Sequence, residues 1–300
     1  MRPNLLAATA ALALVFLGST ARAERILYLG DGDSAVASAV YSTLTSSGNQ
    51  VTIGPSVTSF GGAGLAGYNA VVMAPGLLPP VWNNGPAVGA DMPMSGQQAL
   101  INFVAAGGGL VTGGDTLLDL AQGGFKSLSP LMPFIDYSAA STGNSPITFG
   151  VQTANSIIDA HLPQNFTFNS PDYQGTTPTE EYYLPKTNAT SFFTTSQWSP
   201  TFGLMTPSSG ALGWTYGLGQ VLSISSPINT STMGNLNFAQ LVSNSVNWTT
   251  RNQTEPPASG ANPPTSGANP PIDPAPIPEP SNMLIWGLAL AGALVSRRIK

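Results

Sequence analysis

The chain contains no cysteine. No disulfide can form, and no thiol can act as nucleophile or metal ligand. It contains one histidine, His161, and one imidazole cannot supply the usual ligand set of a zinc site. Charge is also scarce: Asp, Glu, Lys and Arg make up 8% of the residues, against ~25% in an ordinary soluble domain. Ser, Thr, Asn, Gln and Gly must therefore cover the surface. The formal net charge of −5 leaves no basic stripe for a phosphate backbone or an anionic membrane surface, so no nucleic-acid partner is expected. Without cross-links, stability must come from the packed core.

Both ends of the chain carry ordered signals. Arg2 precedes an apolar run from Leu5 to Leu17, and Ala21-Arg22-Ala23 follows as a small-x-small site. These are the three parts of a secretory signal peptide, which assigns residues 1–23 to it and predicts a mature start at Glu24. At the other end stand Pro278-Glu279-Pro280, an apolar run from Met283 to Val295, and then Arg297, Arg298 and Lys300. The run is shorter than the ~20 residues of a comfortable membrane span. The basic residues behind it would stay on the cytoplasmic side. Residues 277–300 resemble the PEP-CTERM sorting signal of Gram-negative bacteria. That resemblance implies an exported protein, held briefly in the membrane by its C-terminal helix and handed by a sorting protease of the exosortase type to the cell surface or the medium. It also implies association with exopolysaccharide or biofilm matrix.

Between the signals, residues 24–250 are long enough for one sizeable core. Arg25 to Leu29 predict a buried strand, broken by Gly30-Asp31-Gly32-Asp33, with Ser34 as cap of a helix from Ala35 to Ser46. Strands are expected at Val51 to Ile53 and Ala70 to Ala74. After a Pro/Gly loop, Ser95 is read as the cap of a helix from Gly96 to Ala106, with Gln97, Gln98 and Asn102 on its wet face. Gly109 to Thr112 form a fourth strand, and a helix follows from Asp115 to Ala121. Apolar strands alternating with amphipathic helices predict a parallel sheet covered on both faces.

The second half reads as β-rich. Ile147 to Val151, Phe166 to Asn169 and Ser191 to Thr194 look like strands, and Gly213 to Tyr216 pairs with Gln220 to Ile224 across Gly217-Leu218-Gly219. Asn237 to Trp248 form a closing helix. Residues 251–276 are a linker containing two Ser-Gly-Ala-Asn-Pro-Pro repeats, which proline stiffens to ~3.1 Å per residue.

Leu65-Ala66-Gly67-Tyr68-Asn69-Ala70-Val71-Val72 and the stretch from Leu100 through Gly107-Gly108-Gly109 to Gly114 resemble the class I glutamine amidotransferase-like fold, in its ThuA-like branch. The Trp214-Thr215-Tyr216-Gly217 segment and the closing helix resemble the end of such domains. The resemblance implies a flavodoxin-like α/β fold, elaborated here by the β-rich second half. Amidotransferases of this class place a nucleophilic Cys at the turn after a central strand. Here that turn is Thr112-Gly113-Gly114-Asp115, so thiol-dependent glutaminase chemistry is excluded.

Few groups remain for chemistry, and no catalytic residue is assigned. Asp31, Asp33 and Asp115 follow strand ends at the carboxyl edge, where ligands of open α/β sheets bind. They either hold a hard cation through oxygen ligands or serve turns and helix caps; the metal question stays open. Thr112 could act as a hydroxyl nucleophile only with a base, and His161 is expected in a surface loop. Glu180 and Glu181 are read as a solvated loop rim, pointing to opposite faces of a strand. The acidic Gly30–Asp33 turn repels a pyrophosphate, so no cofactor is expected. Two function classes follow: a non-catalytic surface protein with a degenerate amidotransferase-like domain, or a carbohydrate-active hydrolase using Asp31, Asp33, Asp115 and Glu181.

Overall fold

The computed structural model describes residues 23–76, 92–122, 124–135, 140–142, 146–170, 179–181, 183–195 and 208–251. All lie within one compact unit, Met1–Ala261. All but Ala23 of the expected signal peptide, all but Arg251 of the linker, and the whole sorting segment lie outside the described residues. No helix among the described residues is long and apolar enough to cross a membrane.

Strands β1 (Arg25–Gly30), β2 (Gln50–Ile53), β3 (Ala70–Ala74) and β4 (Gly109–Thr112) are parallel. They alternate with helices α1 (Ser34–Ser46), α2 (Met94–Ala105) and α3 (Thr116–Gln122). Short strands β5 (Ala140–Thr142) and β8 (Thr179–Glu181) form a separate antiparallel pair. Strands β6 (Ile147–Val151), β7 (Asn165–Phe168), β9 (Thr190–Thr195), β10 (Ser209–Tyr216) and β11 (Gly219–Ile224) join the main sheet, and α4 (Thr230–Met233) and α5 (Leu236–Thr250) close the domain. The sheet order is β2-β1-β3-β4-β11-β10-β9-β6-β7. Its first five strands run parallel, as a flavodoxin-like sheet does; the last four are an antiparallel extension.

The two-residue period of a strand sorts the core. Leu27, Val71, Leu110 and Val221 sit side by side across four parallel strands and pack under α2 and α3 with Leu100, Val104 and Leu117. The adjacent row, Tyr28, Val72, Val111 and Leu222, faces Val40 and Leu44 of α1 and Leu241 and Val246 of α5. In the extension, Phe149 of β6 meets Phe168 of β7 at 5.1 Å, and Phe168 meets Phe238 of α5 at 4.9 Å.

Several local expectations change. Asp33, not Ser34, caps α1: its Oδ1 accepts from the Ala35 and Val36 amides at 2.7 and 3.4 Å. A carboxylate is a stronger acceptor than a hydroxyl at a helix N-terminus, where the amide dipoles point outward. Helix α2 begins before Ser95, with Pro93 at the cap position and no side-chain cap bond. Gln97 is buried rather than wet. Its amide donates to Met92 O and Gly124 O at 2.8 and 3.0 Å and accepts from the Ser127 amide. Gly219 belongs to β11, so the hairpin turns on Gly217-Leu218 alone.

Candidate functional site at the carboxyl edge of the sheet

Four parallel strands end close together: β1 at Gly30, β3 at Ala74, β4 at Thr112 and β11 at Ile224. From β4 the chain turns sharply through Gly113 and Gly114 into α3. A Cβ on Gly114 would lie 2.6 Å from Ser225 O and 2.8 Å from Pro227 N, so only glycine lets this turn pass under the β11–α4 loop. The next residue, Asp115, has φ +79°, a left-handed conformation that Asp tolerates better than most residues. It is a strand-to-helix elbow with a carboxylate at its tip. Asp115 is buried, and burial, followed by the Asp31 charge, raises its pKa to about 7.

Thr112 sits before the elbow, inside the sheet. Its hydroxyl donates to Ser223 Oγ across the β4–β11 pairing at 2.7 Å. That engagement, with complete burial, leaves it no role as a nucleophile. Asp31 is half-buried and accepts from the Asp33 amide at 2.8 Å, bracing the turn. Asp33 is the α1 cap. His161 is exposed on the turn before β7, with φ +61°, in the antiparallel extension.

The β8 strand crosses this edge, and here the structure corrects the sequence reading. Glu180 and Glu181 are buried at 1% and 2% exposure, not a solvated rim. Glu181 lies beside the carboxyl end of β11, its amide donating to Ser225 O at 2.9 Å. Its Oε2 accepts from the Leu117 amide in the first turn of α3 at 3.1 Å and from the Tyr183 hydroxyl at 3.0 Å. Tyr183 is stacked on Phe134, with ring centres 4.4 Å apart, and its hydroxyl also reaches Ile224 O at 3.1 Å. Glu180 is held on the other side, by Ser225 Oγ on one carboxylate oxygen and Thr195 Oγ1 at 2.7 Å on the other. Burial raises its pKa to about 7 even though both hydroxyls favour the charged form. The two acids do have different partners, as strand alternation requires.

Asp31, Asp115 and Glu181 thus gather at one edge, and Asp33 stands apart at α1. Among the described residues no three His, Cys, Asp or Glu side chains come together as a metal-ligand set. Burial leaves Asp115 and Glu180 about half protonated at pH 7, and Glu181 accepts from an amide in the first turn of α3. The bonds of Glu180 and Glu181 tie β8 to α3, β9 and the end of β11. The hydroxyl–carboxylate pairs, Ser225 and Thr195 on Glu180 and Tyr183 on Glu181, are buried away from solvent. Sequence reasoning missed Tyr183, Ser225 and Thr195 as the partners of these acids. The Glu181–Tyr183 pair had a signal: residues two apart on a strand share a face. Ser225 and Thr195 come from distant strands and had none.

No family model matches the chain, and no curated protein matches it by sequence. Solved structures do. A cytoplasmic protein from Salmonella typhimurium LT2 matches with TM-score 0.55 at 14% identity, over 75% of this chain and 99% of that one. A ThuA-like protein from Parabacteroides merdae matches with TM-score 0.53 at 13% identity, over 76% of this chain and 90% of that one. The cold-adapted β-galactosidase from Rahnella sp. R3 matches with TM-score 0.51 at 13% identity, over 81% of this chain but 32% of that one. At these identities the likeness is one of fold. The domain has the flavodoxin-like α/β fold of ThuA-like proteins, with an antiparallel extension.

Proposed function

We propose that this is an exported, surface-sorted protein whose ThuA-like domain is non-catalytic and associates with exopolysaccharide or biofilm matrix. The observation that carries the non-catalytic reading is the elbow. The position where an amidotransferase would present its thiol holds buried Asp115, and the acids around it are held by Leu117, Tyr183, Ser225 and Thr195. The sorting reading is supported by Pro278-Glu279-Pro280, the apolar run, and Arg297 and Arg298. Its partner would be an exosortase-type protease acting while the C-terminal helix sits in the membrane.

Cell fractionation with mass measurement tests the sorting. Deleting residues 278–300 should leave an exported chain that the sorting machinery no longer processes. If the full-length tail is never removed, and both forms reach one compartment, the sorting reading is wrong. Retention of the full chain on the cell's own exopolysaccharide tests the association, and wild type that washes off the polysaccharide defeats it.

A second reading, a carbohydrate-active hydrolase, is favoured by one observation. Asp115 and Glu180 hold protons to about pH 7, the range a general acid needs. It requires hydrolysis of aryl glycosides that disappears in Asp31→Asn, Asp115→Asn or Glu181→Gln while the melting curve stays intact.

A further inference from the structure

A cavity of about 550 Å³ opens at the other end of the same edge, between the ends of β1 and β2 and the first turns of α1. Its size lies within the ~300–1,000 Å³ of small-molecule sites. Tyr28 and Gly30 line its floor. The Tyr28 ring runs under Gly30, with the hydroxyl 2.5 Å from where a Cβ on Gly30 would lie. Tyr28 is 2% exposed, and its hydroxyl has no hydrogen-bond partner. A buried, unpaired hydroxyl costs ~1–3 kcal/mol, so its retention at the floor of a cavity points to a ligand that completes it.

We propose that this cavity binds a neutral sugar, one or two rings in size. The Tyr28 hydroxyl, enclosed in the empty fold, would donate to a sugar oxygen once its ring swings out from under Gly30. Asp33 offers an acceptor, since both of its capping bonds fall on Oδ1 and neither uses Oδ2. Ser38, whose proton is donated to Ser34 O at 2.7 Å, offers another. Tyr41 and Ile53 stand at the mouth, 47% and 46% exposed, and give the C–H face of a sugar ring an apolar wall. The charges select against other ligands. No lysine or arginine is among the lining residues, and Asp33 already occupies the α1 N-terminus that would otherwise attract phosphate.

This site deepens the matrix-association reading and rests on it for its biological setting, but it can fail separately. Calorimetry on the full chain would use glucose, galactose, mannose, N-acetylglucosamine and cellobiose, with adenosine and inorganic phosphate as competing classes. At least one neutral sugar should bind. Tyr28→Phe should weaken it about tenfold without lowering the melting temperature, because the deleted hydroxyl bonds nothing in the empty fold. Tyr41→Ala should weaken it too. Equal affinity in Tyr28→Phe and wild type overturns the proposal, as does binding of adenosine or phosphate in preference to every sugar, or no sugar binding at all. Exopolysaccharide retention that survives Tyr28→Phe removes the pocket and leaves the association standing. Sugar binding without polysaccharide retention does the reverse.

Discussion

The two ends of the carboxyl edge belong to one run of parallel strands, β1–β2 at one end and β4–β11 at the other, and reach opposite outcomes. At the β4–β11 end, β8 lies across the strand ends and fills the space above them. Glu181 takes the first turn of α3, Glu180 takes Ser225 and Thr195, and Tyr183 stacks beneath. At the β1–β2 end nothing comparable crosses among the described residues, and a cavity remains over a hydroxyl without a partner. Open α/β sheets leave a crevice at this edge, and an insertion decides where the crevice survives. Ser226 Oγ at the closed end and the Tyr28 hydroxyl at the open end are both buried without a partner, so what separates the ends is the space left above them.

The largest expected effect falls on the floor common to both ends. Val111 is fully buried in β4, and Val111→Asp places an unpaired charge there, costing about 4 kcal/mol or more. A melting temperature unchanged within error would mean that β4 is not central. Next comes a pair of glycine replacements that separates the two ends. Gly114→Ala at the closed end forces a Cβ against Ser225 O and should cost about 3 kcal/mol. Gly32→Ala at the open end meets nothing within 4 Å and strains only its φ of +102°, so about 1–2 kcal/mol is expected. Chemical denaturation should rank them in that order; the reverse ranking breaks the contrast between a filled end and an open one.

The pH dependence of stability should come from the closed end. Asp115 and Glu180 have folded pKa values raised to about 7 by burial, from ordinary values of 3.8 and 4.5. The fold therefore binds more protons than the unfolded chain between those limits. The resulting stability is fully present below the ordinary carboxyl range and is lost as pH rises through about 7. Melting temperature should fall from pH 5 to pH 8. Asp115→Asn and Glu180→Gln should each flatten part of that slope, by about 2 kcal/mol as an order of magnitude. A flat wild-type profile would show that these acids are not buried. The smallest effect belongs to the open end: Tyr28→Phe should leave the melting temperature of the ligand-free chain unchanged or raise it slightly. A clear drop in thermal melts would mean that the hydroxyl has a partner after all.

Much of the fold was legible because it follows from period and punctuation. The apolar runs at Ala70–Ala74 and Gly109–Thr112, each bounded by glycine or proline, could only be strands buried on both faces. The hairpin of β10 and β11 was marked by Gly217-Leu218. Caps were less legible, since Asp33 and Ser34 are both good candidates and only the position of the first helical amide chooses between them. Glu180 and Glu181 misled for a clear reason. Adjacent acids are usually solvated, and nothing local to them reports that Ser225, Thr195 and Leu117 wait at matching positions. Gln97 misled in the same way, because its partners Met92, Gly124 and Ser127 come from loops outside the helix pattern.

The sequence by itself determined that thiol chemistry was unavailable, and it determined the order of strands and helices from β1 to α3; β5, β8 and α4 had no such signal. Cysteine content, charge, hydrophobic period and turn residues are local or additive properties, and they need no folded coordinates. Tertiary structure alone decided that β11, last in sequence among the strands, lies beside β4, that Asp115 occupies the elbow, that Glu180 and Glu181 are interior, and that Tyr28 ends beneath an open cavity. Each of these depends on segments far apart in the chain meeting at one place, and burial and pairing energies exist only once they have met.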